Sequence, residues 1–290
     1  MHPAPSVILF SVCSGLGFGL LAMLGFGIPA VTGWAAFGYY FLGYGFAVGG
    51  LLASVTHLAN PKNAIKSFSQ WRSSWLSREG ICAIAALLII APYAIGRIFF
   101  GVYMPLLGVL GSVLAIATVF TTSMIYAQLK TVPRWNSNLT PVLFLGYAIA
   151  GGLMLAAPGL LPALMLLAMG VLQWYAWQVG DAAFDDAGSD IGTATGLGNI
   201  GAVRQFEPPH HGENYLLKEM AYQVGRKHAQ KLRMIGLGLG LALPAILMLL
   251  AGGSGIVTFL AVASYLVGLF AIRWLFFAEA RHVMGLYYDK

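Results

Sequence analysis

Two ionisable side chains stand where an apolar chain leaves one membrane-length segment and enters the next. His57 closes one apolar run and Glu79 opens the following one. Between them, in VTHLANPKNAIKSFSQWRSSWLSREG (55–80), come Lys62, Lys66, Arg72 and Arg78, the indoles Trp71 and Trp75, and a helix-breaking Asn60-Pro61. Ionisable groups at a membrane are costly, which makes them candidates for function. A quinone headgroup needs a hydrogen-bond partner for each carbonyl and a proton-exchanging group that titrates near neutral pH, for which histidine is suited. Glu79 offers a second proton site, and the adjacent Arg78 is expected to hold it ionised. The same pair also fits a plainer role, as a helix-end His on a backbone carbonyl and a Glu paired with Arg.

Other constellations carry less chemistry. KTVPRWNSNLTP (130–141) brings Trp135 and Arg134 to the same membrane edge, where an aromatic belt and a snorkelling Arg are ordinary. Asp181 with Asp185, and Asp186 with Asp190, would each share a helix face and suggest Mg²⁺–diphosphate binding, as in an intramembrane prenyltransferase. That chemistry needs a second acidic motif, and the chain has none. GLGNIG (196–201) matches G-x-G-x-x-G, but an acidic polar stretch precedes it where a dinucleotide site needs a strand. The six histidines (2, 57, 210, 211, 228, 282) all belong to one face, so ligands for two stacked haems are missing, and no haem is expected. Cys13 and Cys82 are isolated in apolar segments and give neither a cluster-ligand set nor a disulfide framework. No metal or iron–sulfur centre is expected in this chain.

These residues must be positioned by a membrane bundle. The 290 residues are 59% hydrophobic and 9% charged, against about a quarter charged in soluble chains. Hydropathy predicts eight spans, at about 6–27, 36–57, 81–100, 104–127, 140–158, 160–178, 233–251 and 255–277. The N-terminus lacks the basic start and cleavage site of a signal peptide. The expected fold is an all-α, eight-helix polytopic membrane protein forming a single domain over 1–290. Loop 179–232 is then the one sizeable extramembrane element. Its LLKEMAYQVGRKHAQKLR end carries apolar residues 216, 217, 220, 221 and 224 at helical spacing, an amphipathic platform for another subunit.

Fifteen of the sixteen Lys and Arg fall at one end of these spans, and only Arg97 lies at the other. The positive-inside rule therefore puts both termini and the long loops in the cytoplasm. Arg72, Lys130, Arg134, His210, Lys218 and Arg226 on that face are the residues expected to meet a partner protein. The charge of +6 suits lipid headgroups and orientation, and nothing in its arrangement suggests nucleic acid. A small-molecule transporter would be expected to show repeats and midplane polar groups, and neither is apparent.

The segments HLANPKNAIKSFSQWRSSWLSREG, TVPRWNSNLTP and HPAPSVILF together resemble the membrane-anchor subunit of the dimethyl sulfoxide reductase family, over the whole chain in length and span count. That resemblance implies a haem-free, eight-helix anchor in the bacterial inner membrane. It also implies two partners, an iron–sulfur subunit and a molybdopterin catalytic subunit, with exchangeable quinone or quinol as the cofactor. A His and a Glu flanking the second-to-third span loop are implicated in quinol binding in that family, and they fall on His57 and Glu79. Arg78, Trp71 and Trp135 are the expected pocket neighbours. The family's reductases turn this loop to the periplasm and oxidise menaquinol. The cation distribution and the long 179–232 loop instead resemble cytoplasm-facing relatives such as sulfite dehydrogenase anchors.

Overall fold

The structure, a computed structural model, describes residues 1–56, 61–207, 212, 214, 217–218, 220 and 228–288, with the side chains of 61–64 and 67 excepted. His57, His210 and Arg226 lie outside the described residues, as does most of the amphipathic stretch over 216–226. Eight helices are long and apolar enough to cross a membrane. They are α1 (Pro5–Gly25), α2 (Gly33–Val55), α3 (Trp75–Phe100, closing in a π turn), α4 (Pro105–Ala127), α5 (Leu139–Ala156), α6 (Leu160–Asp186), α8 (Ala229–Leu250, with a π turn at Gly238–Ala242) and α9 (Gly255–Ala278). The short α7 (Ile191–Thr195) lies between α6 and α8, and no strand occurs among the described residues.

Two boundaries move in ways that matter. Helix α3 begins at Trp75 because Ser74 caps it, its Oγ accepting from the Ser77 amide at 3.4 Å. Glu79 therefore lies within the helix rather than ahead of it. Helix α6 continues through DAAFDD to Asp186, past the point where hydropathy falls. Alanine favours helix there, and ion pairs described below hold the polar turns.

Helix α1 is the hub. Of its most apolar 18-residue window 78% is buried, and it packs against α2, α4, α5 and α9. Close approach requires bare backbone at the α1–α5 crossing, where a Cβ on Gly19 or Gly152 would collide with the facing main chain. Gly240 and Gly268 do the same for α8 and α9.

The polar segments gather at one end and are stitched together. The Met1 ammonium donates to the Ala280 carbonyl at 2.7 Å, and Val283 N donates to Thr131 O at 3.0 Å. Gln205 Nε2 reaches the Tyr287 carbonyl and Tyr287 Oη the Ala194 carbonyl. At the other end the turns are short and use glycines with positive φ, such as Gly101 and Gly159. Arg97 is buried at that end over the Tyr103 ring.

Candidate functional site

Glu79 is 4% exposed, one turn into α3. Thr122 of α4 donates its hydroxyl to Glu79 Oε1, and the same Oγ1 contacts the Thr118 carbonyl at 2.9 Å. Arg78 does not pair with Glu79, contrary to the expectation from sequence. Its guanidinium lies over Trp75 at 4.3 Å and bonds the carbonyls of Trp71 at 2.9 Å and Arg72 at 2.6 Å. Successive helix residues point about 100° apart, so one neighbour faces the bundle while the other clamps the preceding loop. Trp71 is exposed, with Arg72 across its ring at 5.4 Å.

Trp135 is 3% exposed. Its Nε1 donates to Phe276 O at 2.8 Å and its ring stacks on Phe276 at 5.2 Å. The indole thus braces the end of α9. Tyr126 of α4, one turn beyond Thr122, packs against Trp135, Phe144 and Phe276.

Arg134 is drawn into a four-residue ion cluster. It bonds Asp181 at 2.8 Å and Glu279 at 2.5 Å, while Arg233 bonds Asp181 at 2.6 Å and Glu279 at 2.8 Å. The α4–α5 loop, α6, α8 and the end of α9 each contribute one member. Asp181 is therefore neutralised by two guanidinia. Asp190 caps α7, accepting from Thr193 N, so it does not share a helix with Asp186. Gly196 closes α7 in a left-handed conformation, a turn role for the GLGNIG stretch. Lys130 and Lys218 are exposed.

About 9 Å below Glu279 along α9, at helical rise, sits Arg273. It is 3% exposed. Its guanidinium lies 3.5 Å from the Phe144 ring centroid, and its buried Nε has no acceptor among the described residues. Arg273 and Gln173 of α6 lie under a cavity of about 370 Å³ between α5, α6 and α9, with Lys130 and Arg134 also lining it. Trp135 does not line this cavity. A second, small cavity of about 10 Å³ is bordered by Arg273 and by Thr122, the partner of Glu79.

Sequence reasoning reaches Glu79 but misses Thr122 and Gln173, which no motif marks. By sequence Arg273 is one more cation of the charged end, and with Arg281 and His282 it marks the place to look should His57 and Glu79 be structural. The signal that could have singled it out is a guanidinium inside the apolar run FAIRWLFF.

The sequence profile of the DMSO reductase anchor subunit (DmsC) matches residues 5–176. A sulfite dehydrogenase subunit from Allochromatium vinosum is 31% identical, over 100% of this chain and 99% of that protein. No solved structure matches the chain. A profile match across more than half of the chain agrees with the eight membrane-length helices and the polar segments stitched together at one end: the protein belongs to the DMSO reductase anchor-subunit family.

Proposed function

We propose that this chain anchors an iron–sulfur subunit and a molybdopterin catalytic subunit to the inner membrane and exchanges their electrons with the quinone pool. The docking face is cytoplasmic, in keeping with the cation distribution. Reduction takes two electrons from the iron–sulfur chain and two protons to convert quinone to quinol. Oxidation runs the same balance in reverse. His57 bonds one carbonyl, Glu79 exchanges protons with the cytoplasm, and Arg78, Trp71 and Trp135 shape the surroundings. Arg72, Lys130, Arg134, His210, Lys218 and Arg226 belong to the face that meets the partner.

One observation carries the reading. Thr122 has a single hydroxyl hydrogen and two oxygens within reach, Glu79 Oε1 and Thr118 O. When that hydrogen goes to the carbonyl, the contact with Glu79 is a hydrogen bond only if Glu79 supplies a proton. The pair therefore has a place for a proton in either state, which suits a buried relay.

The test is Glu79→Gln in the assembled complex. Quinone-linked turnover should fall at least tenfold, with a changed pH profile, while activity with a dye that reacts at the catalytic subunit persists. His57→Ala should abolish quinone-linked turnover with assembly intact. If both variants turned over quinone normally, Glu79 and His57 would be structural. Reporter fusions at Lys290 and after Arg134 check orientation, and periplasmic reporter activity at both would reverse it.

A further inference from the structure

We infer that the cavity above Arg273 is a second binding site, which takes a quinone-class ring with one of its oxygens on the guanidinium. The ligand class rests on the quinone reading above. The site itself rests on geometry. A guanidinium carries five N–H donors, and burying it without an acceptor is costly. Among the described residues Arg273 has ring faces for neighbours, Phe144 at 3.5 Å, Tyr147 at 5.6 Å and Phe276 at 6.0 Å, and its buried Nε is unpartnered. Nearby, Arg134 and Arg233 each pair with two carboxylates, whereas Arg273 is left facing rings among the described residues.

A second donor converges on the same space. Tyr147 Oη donates to Gln173 Oε1 at 2.8 Å, and Tyr265 Oη donates to the Tyr147 carbonyl at 2.6 Å. This network fixes the carboxamide and leaves its Nε2 amide for another acceptor. Phe144, Phe276 and Trp177 supply aromatic wall, and about 370 Å³ is within the usual range of small-molecule sites. A phosphate would satisfy the guanidinium and leave those walls unused. A planar ring bearing carbonyl oxygens uses both. Arg273 also borders the small cavity that is lined by Thr122, the group that holds Glu79.

The probe is an azido-substituted naphthoquinone, photolysed with the full-length chain in lipid nanodiscs and mapped by peptide mass spectrometry. Saturable labelling is expected on 172–177 and 270–276. It should drop about tenfold in Arg273→Met, less in Arg273→Lys, and severalfold in Gln173→Leu. Should Arg273→Met fail to accumulate, Gln173→Leu and competition by unlabelled quinone carry the same test. Labelling confined to 71–79 and unchanged in Arg273→Met would overturn this site while leaving the quinone reading intact. No saturable labelling anywhere would overturn both. A phospholipid retained in native mass spectra through Arg273, with labelling unaffected by the substitution, would also overturn it.

Discussion

The ion cluster at the polar end of the bundle and the lone Arg273 beneath it treat the same chemical group in opposite ways. Arg134 and Arg233 each bond both Asp181 and Glu279, so four charges from four segments neutralise one another. Arg273, six residues earlier on α9 than Glu279, has aromatic faces and, among the described residues, no carboxylate beside it. A saturated cluster is a clamp. It joins the α4–α5 loop, α6, α8 and α9, and each of its carboxylates meets two guanidinia. An unsaturated cation beside a cavity is poised to accept an acceptor from outside the chain.

The clamp should break hardest at its most buried member. Glu279, with a side chain 6% exposed, faces two guanidinia. Glu279→Ala should destabilise the bundle by about 3 kcal/mol, because it leaves cations without their buried partner. Thermal unfolding in detergent measures this, and a loss under about 1 kcal/mol would mean the cluster is screened like a surface pair. Asp181 is 46% exposed, so solvent takes over part of its role. Asp181→Asn should cost only about 1 kcal/mol by the same assay. Arg273→Met sharpens the contrast from the other side. It removes a charge that has no ionic partner among the described residues, and its stability should stay within about 1 kcal/mol of the parent or rise. A large loss of stability would show that Arg273 is structural after all.

The smallest expected effect lies at the rim. His282 Nδ1 accepts from Met284 N at 2.9 Å, and burial together with the nearby N-terminal ammonium pushes this imidazole below its ordinary value of 6.5. The folded state therefore binds that proton less well than the unfolded chain. The contribution of His282 is whole above pH 6.5 and declines as pH falls below it, through the lowered folded value. Deuterium exchange at the Met284 amide, corrected for intrinsic rate, should show less protection at about pH 5.5 than at about pH 7.5. Equal protection would place the tail under other control.

Much of this is legible in the residues, and the exceptions have specific causes. Glu79 is marked by being an acid at the mouth of an apolar run. Its partner is not, because Thr122 is forty-three positions away and one of many hydroxyls on membrane helices. Adjacency pairs Arg78 with Glu79, whereas helical geometry turns it toward Trp71 and Trp75. Arg134 has the look of an ordinary snorkelling cation, since nothing local shows that Asp181 and Glu279 converge on it. Hydropathy ends α6 too early because it stops near Val179, while the helix runs on into residues held by those ion pairs.

By itself the sequence determined the eight apolar segments, their punctuation and the end of the molecule at which charge collects. Those properties follow from transfer free energy and chain chemistry, which are local. The tertiary structure decided which helix is the core. Helices α1 and α9 have mean hydropathies of 2.3 and 2.2, yet their windows are 78% and 33% buried. Lipid and protein interior are both apolar, so hydropathy cannot separate them, and only the glycine-lined crossings of α1 place it at the centre. For the same reason packing alone left Arg273 Nε without an acceptor among the described residues and Glu79 with Thr122. Each outcome depends on side chains from distant helices arriving at one point.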